Sequence, residues 1–228
     1  MSPKHIAIDG PVAGGKSTVA LMVARRLNLL YVDTGAMYRA VALAALRDGV
    51  ELDDGEGLAA IPRRHRIDLE PAGDARGYSV HLDGADVTAQ LFQSAVTAAV
   101  STVAAHPEVR RVLVERQREI ARQRAVVMAG RDIGTVVLPE ARVKVFLTAS
   151  VDERVRRRLE ELRAAGSTID TATLRAEVER RDHTDSTRSD SPLRPAAGAL
   201  VLDSSELRAE EVVARIVEFA AGVDRAQA

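Results

Sequence analysis

The sequence predicts an α/β protein with a parallel sheet and helices on both of its faces. Short apolar segments typical of strands alternate with segments of helical periodicity, as the crossover connections of a parallel sheet require. A glycine-rich turn joins the first strand to the first helix, and the alternation is interrupted between about residues 53 and 105. With 228 residues, of which 46% are hydrophobic, the chain can form one domain of ordinary size together with smaller inserts.

The first half of the predicted sheet lies before the interruption. The predicted elements are a strand at Ile6–Asp9, a helix that ends at about Leu27, a strand at Leu29–Val32, and a helix with Met37, Val41, Ala44 and Ala45 on one face. Asp33 and Thr34 stand at the start of this second helix, and either is a plausible N-cap.

The interrupting segment, residues 53–105, has the pattern of a small antiparallel hairpin followed by a helix. Ile67–Leu69 and Tyr78–Leu82 alternate like strands, and Asp83 and Gly84 supply a turn. Helical periodicity then extends from Val87 to Val103. We therefore predict an inserted subdomain here.

Beyond residue 105 the alternation of helix and strand resumes. The predicted elements are a helix at Glu108–Gln123, a strand at Ala125–Ala129, a loop at Gly130–Gly134, a strand at Val143–Leu147, a last strand at Leu200–Asp203, and a closing helix whose apolar face is formed by Val212, Val213, Ile216, Val217 and Phe219.

Two helix starts and one polar segment complete the prediction. Ser150 and Glu153 form a capping box before an arginine-rich helix, and Asp203 is expected to cap the closing helix. Residues 165–195 have Asp, Ser, Thr and Arg where a core pattern would need apolar residues. We therefore expect an exposed and mobile element.

The turn after the first strand matches the phosphate-binding pattern G-x-x-x-x-G-K-[ST] from Gly10 to Ser17. The backbone N–H groups of such a loop and the positive end of the helix hold phosphate oxygens. Lys16 would reach the β- and γ-phosphates, and the Ser17 hydroxyl would be a ligand of Mg²⁺. The predicted ATP-binding residues are Gly10, Pro11, Val12, Ala13, Gly14, Gly15, Lys16, Ser17 and Thr18.

Composition excludes several classes of protein. The formal net charge of −1 argues against a protein that coats a nucleic acid polymer or an acidic membrane. The absence of cysteine excludes disulfides and thiolate metal sites and is compatible with a reducing cytoplasm. No leader pattern and no run of eighteen apolar residues is present. We expect a soluble, cytoplasmic monomer.

Five sequence blocks resemble those of the bacterial cytidylate kinases. They are Ile8–Pro11, Gly15–Thr18, Asp33–Arg39, Gly130–Val137 and Leu200–Ser204, and the resemblance extends from Ile6 to about Phe219. The phosphate-binding loop alone is shared by many unrelated ATPases, whereas the blocks Asp33–Arg39 and Gly130–Val137 together are specific to the family. The chain departs from the family at Val12, Ala13 and Gly14, where Ser-Gly-Ala is common, so a contact made by a family serine at position 12 is lost.

This resemblance implies ATP-dependent phosphorylation of CMP and dCMP by a P-loop kinase with helices on both faces of its sheet. It also implies a core at residues 1–52, 106–164 and 196–228, an NMP-binding insert at 53–105, and a mobile lid at 165–195. ATP and CMP or dCMP are the expected partners, with Mg²⁺ as the cofactor.

Several arginines are candidates for binding the phosphates. Arg39 and Arg131 follow the carboxyl ends of two strands, where α/β proteins bind ligands, and Arg188 would come from the lid. The resemblance assigns Lys16, Arg131, Arg181 and Arg188 to catalysis, and Thr34, Arg39, Ser101, Arg110, Arg131, Asp132, Arg181, Asp185 and Arg188 to CMP binding. Seven arginines lie in or near the lid, at positions 154, 156, 157, 158, 180, 181 and 188, and salt-bridge ladders with nearby glutamates are expected to account for about half of them. Arg63, Arg64 and Arg66 are interpreted as surface charges.

A cytosine reader needs an acceptor beside a donor, because cytosine presents an amine next to the N3 and O2 acceptors. By resemblance, Ser101 and Asp132 would accept from the amine and Arg110 would donate to the ring. Spacing alone favours a structural role for Ser101 and a surface location for Arg110, and it allows Asp132 to be a partner of Arg131.

Two alternatives remain at the level of sequence. A different P-loop kinase, such as a relative of adenylate or shikimate kinase, would share the first loop but lack the insert. A nucleotide switch or a partner-driven ATPase would need a guanine-reading or oligomer-sensing element, and neither pattern is present.

Overall fold

The computed structural model describes residues 5–164 and 166–225. Its main sheet has five parallel strands in the order β2-β6-β1-β7-β8. These strands are β1 Ile6–Asp9, β2 Leu30–Asp33, β6 Val126–Gly130, β7 Val143–Thr148 and β8 Leu200–Asp203. The predicted parallel sheet is confirmed.

Helices cover both faces of this sheet. Alternate residues of β6 are apolar on each face, so each face needs a covering layer. Val127 and Ala129 point into the larger apolar core, whereas Val126 and Met128 belong to a second core on the opposite face. The helices around the sheet are α1 Lys16–Leu27, α2 Thr34–Asp48, α5 Pro107–Gln123, α6 Val151–Ala164 and α8 Ala209–Arg225.

The segment between α2 and α5 contains a second sheet of three antiparallel strands, β3 Ile67–Pro71, β4 Tyr78–Leu82 and β5 Ala85–Asp86. The predicted hairpin is therefore confirmed as β3 and β4. The predicted long helix is divided into a 3₁₀ turn at Gln90–Phe92 and α4 at Ser94–Ala105. Helix α3 at Gly55–Arg64 was not predicted from the sequence, which has Pro62 inside it.

The segment before β8 is folded as helix α7, Thr171–Thr187, which packs against α6. The interpretation of this segment as lacking a core pattern is wrong. Leu174 and Val178 lie four residues apart on one face of α7 and are buried against Val155 and Leu159 of α6. The four residues Leu174, Val178, Val155 and Leu159 are called the lid core below.

Three local predictions need correction. The Asp203 side chain accepts hydrogen bonds from the N–H and hydroxyl of Ser205, and α8 begins only at Ala209, so Asp203 does not cap that helix. The Ser150 hydroxyl does accept from the Glu153 N–H, but the Ser150 N–H bonds to Ser205, so only half of the capping box forms. The segment after β6 is a π-helical turn at Ile133–Val137 and not an open loop throughout.

Residues 1–4 and 226–228 of the predicted core, and residue 165 at the start of the predicted lid, lie outside the described residues. None of the helices in the described ranges is both long enough and apolar enough to cross a membrane.

Candidate active site

The loop between β1 and α1 has a backbone that requires glycine at two positions. Gly10 has a φ of +153°, and a Cβ there would lie 1.9 Å from the Leu147 carbonyl oxygen. Gly15 has a φ of +80° and forms the N-cap of α1. The loop is thus pressed against β7, and α1 points its N-terminus into the space above the sheet edge, where a helix binds anions well.

Lys16 is buried at the base of this loop, and its ammonium group donates a 2.5 Å hydrogen bond to the Pro11 carbonyl. Burial holds the pKa of Lys16 well below its ordinary value, and the nearby Arg131 charge adds to this effect. A phosphate bound in the loop would bring negative charge to this ammonium group and favour its charged form.

Two aspartates stand at the carboxyl ends of β2 and β1, the two strands that flank β6 in the sheet. Asp33 ends β2, and its Oδ2 accepts a hydrogen bond of 3.2 Å from the Ser17 hydroxyl. Asp9 ends β1, and its carboxylate accepts from the N–H groups of Ile133 at 2.7 Å and Gly134 at 2.8 Å. Asp9 therefore fixes the π-helical turn to the sheet, although its burial raises its pKa to about 6.

The loop opens into a cleft of about 820 Å³. Ten arginines and Lys16 line the cleft, against six carboxylates, whereas the whole chain is nearly neutral. Positive charge is therefore concentrated at one place, as the binding of a polyanionic ligand requires. The arginines are at positions 39, 76, 110, 131, 156, 157, 158, 181, 188 and 208.

A buried ion pair forms one wall of the cleft. The Arg110 guanidinium donates to the Asp132 carboxylate, and their side chains are 3% and 7% exposed. Arg188 reaches the other oxygen of Asp132 at 3.8 Å. The interpretation of Arg110 as a surface charge is wrong, and so is the pairing of Asp132 with Arg131, because Asp132 faces Arg110 across the cleft wall.

Arg131 pairs instead with a residue of α7. Its Nε donates to Asp185 of α7 at 2.6 Å, and Asp185 also lies 3.9 Å from Arg188. Burial opposes ionisation of Asp185, but the adjacent arginines hold its pKa below the ordinary value. The carboxylate thus orients two guanidinium groups toward the cleft.

Arg181 has less compensation for its charge. Its buried Nε has no hydrogen-bond partner among the described residues. Burial, together with the charges of Arg131 and Arg39, lowers its pKa to about 10. An anion in this part of the cleft would relieve both the missing hydrogen bond and the repulsion.

Arg39 connects the core to the insert. From α2 it donates to the Leu91 carbonyl and the Thr97 hydroxyl, each at 2.9 Å. Its guanidinium lies 5.2 Å from the centre of the Phe92 ring, and Arg76 lies over the same ring at 4.5 Å. The insert therefore supplies part of the cleft lining beside a phosphate-binding candidate.

Arg154 of α6, which is 4% exposed, joins α7 to the phosphate-binding loop. Arg154 donates to the carbonyls of Ala149 and Val12 and pairs with Asp182 of α7 at 2.6 Å. The Val12 side chain packs against the lid core. Where the family commonly has serine, this chain thus places a valine that makes an apolar contact with the lid.

The structure brings most of the predicted site residues to this one cleft. Those that line it are Val12, Ala13, Gly14, Gly15, Lys16, Ser17, Thr18, Thr34, Arg39, Ser101, Arg110, Arg131, Asp132, Arg181, Asp185 and Arg188. Gly10 and Pro11, at the start of the loop, are buried and are not among the described residues that line the cleft. The Thr34 hydroxyl lines the cleft but donates to the Ala129 carbonyl at 2.8 Å.

The remaining arginine predictions divide as follows. Arg156 and Arg158 form the expected ladders with Glu153, Glu160 and Glu161. Arg157 pairs with Glu153 and also bonds Ser204. Arg63, Arg64 and Arg66 are exposed, as predicted.

Comparison with known proteins identifies the family of this chain. The family model for cytidylate kinase matches residues 6–221. The chain belongs to the cytidylate kinase family. A cytidylate kinase of Desulforamulus reducens is 53% identical over 216 residues, covering 95% of this chain and 96% of that protein. A cytidylate kinase of Pelotomaculum thermopropionicum is 52% identical over 214 residues, covering 93% of this chain and 94% of that protein.

Solved structures support the fold of this family member. A gluconokinase from Sinorhizobium meliloti superposes with a TM-score of 0.50 at 14% identity, covering 98% of this chain and 93% of that one. An uncharacterized protein from Eubacterium ventriosum gives a TM-score of 0.53 at 11% identity, covering 95% of this chain and 97% of that one. At such identities the likeness concerns only the fold, an α/β kinase core.

Sequence reasoning missed several residues of the cleft. Asp33 was considered only as a helix cap, and Asp9 only as the end of a strand. Asp9 ends one predicted parallel strand and Asp33 directly follows another, and that position at the sheet edge is a signal that could have identified them. Tyr78 and Phe92 line the cleft from the insert, and the sequence carries no signal for that location.

Proposed function

We propose that this protein transfers the γ-phosphoryl group of ATP to CMP and dCMP, forming CDP and dCDP in pyrimidine nucleotide metabolism. The observation that carries the proposal is a cleft, in the described part of the chain, that is lined by both the phosphate-binding loop and ten arginines. Phosphoryl transfer needs two anionic reactants aligned in a site with compensating positive charge, and little covalent chemistry from the protein. Membership of the cytidylate kinase family supports the same reaction.

The donor half would use the loop from Gly10 to Thr18. Its N–H groups and the N-terminus of α1 would hold the phosphates, and Lys16 would compensate the charge of the transferring group. The Ser17 hydroxyl and the Asp33 carboxylate lie 3.2 Å apart and offer the oxygen ligands that Mg²⁺ prefers. When bound, the ion neutralises phosphate charge. Asp33 thereby joins Ser17 as a residue that would hold the metal.

The acceptor half would bind the phosphate of CMP through Arg39, Arg131, Arg181 and Arg188. The unpartnered Nε of Arg181 and the carboxylates that orient Arg131 and Arg188 support this role. Arg131, Arg181 and Arg188 would also stabilise the charge that spreads over the transferring group. Because α7 carries Arg181, Asp185 and Arg188, closure of the lid would complete this half.

The Arg110–Asp132 pair supports recognition of cytosine. A guanidinium donor and a carboxylate acceptor side by side match the ring acceptors and the exocyclic amine of cytosine. Ser101 also lines the cleft and would be a second acceptor. Uracil reverses the pattern at two positions, so it would be rejected by unpaired polar groups.

We assign residues 1–52, 106–164 and 196–228 to the catalytic core, 53–105 to the CMP-binding insert and 165–195 to the lid. The separate antiparallel sheet supports the division of the insert from the core. We further propose that the protein acts as a monomer in the cytoplasm on free nucleotides.

A coupled assay with ATP and a panel of nucleoside monophosphates tests the proposed function. CMP should exceed UMP by about 10- to 100-fold in kcat/KM, since a well-placed bidentate contact contributes roughly 1–3 kcal/mol. Faster turnover of AMP, UMP or a non-nucleotide acceptor would contradict the assignment.

The Arg110→Met variant tests the cytosine reader. It should lose most of the preference for CMP over UMP and retain ATP binding, because the donor half is untouched. Arg111→Met is the matched control, since Arg111 is the exposed neighbour on the same helix. Urea unfolding should accompany the assay, because Asp132 is left buried without its partner. Full preference in a folded Arg110→Met protein would place the base elsewhere.

A further inference from the structure

Three hydroxyl groups converge on one carboxylate oxygen beside the phosphate-binding loop. Asp33 Oδ2 lies 3.2 Å from Ser17 Oγ, 3.3 Å from the Tyr31 hydroxyl and 3.4 Å from the Tyr78 hydroxyl. Ser17 and Tyr31 belong to the core, whereas Tyr78 begins β4 of the insert. One atom of Asp33 is therefore shared between the loop and the insert.

The number of donors exceeds what this oxygen can accept at one time. A carboxylate oxygen has two lone pairs, so three hydroxyls compete for it. Ser17 is the one whose hydroxyl has another use under the proposed function, as a metal ligand. When Ser17 turns away, the two tyrosine hydroxyls can occupy both lone pairs and fix the carboxylate.

Tyr78 is well suited to hold this position. It is 4% exposed, and its ring centre lies 5.9 Å from that of Tyr31. The phenolic O–H of tyrosine is a hydrogen-bond donor at physiological pH. Phenylalanine at this position would keep the ring and remove only the donor.

The chain around Tyr78 is also fixed against α1, the helix that begins in the phosphate-binding loop. Arg25 donates to the Asp74 carbonyl at 2.9 Å. Gly77 has a φ of +81°, and a Cβ there would lie 2.3 Å from Leu21 Cδ1, so its backbone lies directly on α1. Movement of the turn at 74–78 would therefore change its contact with α1.

The other end of the insert contacts the acceptor half. Arg39, a candidate for binding the acceptor phosphate, donates to Leu91 and Thr97 of the insert. The insert thus contacts a phosphate-binding arginine at one end and the Asp33 carboxylate at the other. Both contacts are hydrogen bonds that a shift of the insert would alter.

We propose that Tyr78 is a positioning residue through which the insert orients the Asp33 carboxylate beside Ser17. CMP and the Mg²⁺ complex of ATP consequently bind cooperatively. This inference rests on the proposed function, because it takes the donor and acceptor halves as defined there.

The test is calorimetric titration of a non-hydrolysable ATP analogue with Mg²⁺, in the presence and absence of saturating CMP. The ratio of the two affinities measures the coupling between the sites, and the wild-type ratio should be at least about fivefold. In Tyr78→Phe the ratio should fall to within about twofold of unity. Tyr31→Phe is the matched control, because it removes another hydroxyl that donates to the same Asp33 oxygen. Tyr31 and Asp33 both belong to the core, so this change leaves the contact between insert and core in place, and the affinity ratio should stay at the wild-type value.

A full wild-type ratio in Tyr78→Phe would overturn the inference, and so would an equal loss of the ratio in Tyr31→Phe. Wild-type protein that binds both nucleotides independently would also overturn it, while leaving the proposed function intact. Wild-type protein that binds neither nucleotide would count against the proposed function itself.

Discussion

Lys16 illustrates how a single side chain of the cleft combines burial with charge. Among the contacts described above, its ammonium group has one hydrogen bond, to the carbonyl of Pro11 in the loop. Burial lowers the pKa of Lys16 and so favours the neutral amine. Such a group interacts strongly with an arriving phosphate, because little water screens the charge.

Lys16→Ala should therefore lower turnover by at least ~100-fold, or about 2.7 kcal/mol of transition-state stabilisation. Steady-state kinetics at saturating ATP and CMP measures the effect. Lys144→Ala is the control, because Lys144 lies on β7 and is not among the described residues that line the cleft. Near-normal turnover in Lys16→Ala would contradict the assigned role.

Arg154 is a second single side chain of this region, and its role is structural. Its three partners belong to the loop before α6, the phosphate-binding loop and the lid. Arg154→Met keeps the aliphatic part of the side chain but leaves Asp182 without its cation. We expect a loss of about 3 kcal/mol in the free energy of unfolding, near the lower end of the range for a broken buried pair, because Asp182 is 24% exposed.

Urea unfolding checks this expectation, with Arg158→Met as the control. Arg158 pairs with Glu161, whose side chain is 63% exposed. Loss of this ion pair should therefore lower the free energy of unfolding by no more than ~1 kcal/mol. Equal midpoints for the two variants would show that Arg154 does not hold the lid.

Helices α6 and α7 show how an element can be stabilised by very few apolar residues. The lid core consists of four side chains, and Asp170 caps α7 by accepting from the N–H groups of Ala172 and Thr173, both at 3.0 Å. We expect α7 to be helical without nucleotide, but its small core and its many charged groups allow movement as a unit.

Hydrogen exchange over residues 171–195 should slow when ATP and CMP are both present, because bound phosphates would engage Arg181 and Arg188. Peptides from β6, which is buried in the main sheet, serve as the internal control and should change little. Equal exchange of the lid segment in the free and doubly liganded protein would contradict ligand-driven closure.

The elements that sequence could predict are those whose signals are local. The phosphate-binding loop, the parallel strands and the β3–β4 hairpin follow from glycine spacing and from apolar periodicity within a few residues. Helix α7 was missed because only Leu174 and Val178 mark its buried face among many polar residues. Helix α3 was missed because a proline inside a helix argues against one.

Contacts between distant parts of the chain could not be predicted in the same way. Arg110 and Asp132 are 22 residues apart and meet only because α5 packs beside the end of β6. Tyr78 reaches Asp33 from a separate sheet, 45 residues away. Family resemblance could suggest roles for the first pair, but neither spacing nor composition specifies these partners.

At the scale of the whole molecule, His65 joins the insert to the core. Its Nδ1 lies 2.6 Å from Asp83 in the turn after β4, and its Nε2 lies 2.9 Å from Asp48 at the end of α2. Both ring nitrogens face carboxylates, so both can donate only in the protonated imidazolium. The hydrogen bond to Asp83 and then that to Asp48 accordingly raise the pKa of His65, while His65 lowers the pKa of Asp83.

A histidine whose pKa is raised on folding contributes stability that is fully present below its unfolded value, about 6.5, and is lost as pH rises through the folded value. Asp83, whose pKa is lowered on folding, contributes stability that is fully present above its unfolded pKa of about 4 and is lost as pH falls through its folded pKa. The junction should therefore be strongest between about pH 4 and 6.5. Wild-type protein should lose more stability between about pH 5.5 and 8.5 than His65→Gln does, as measured by urea midpoints. His183→Gln, which alters a histidine of the lid, should behave like wild type, and an identical pH dependence of His65→Gln and wild type would show that this junction does not stabilise the fold.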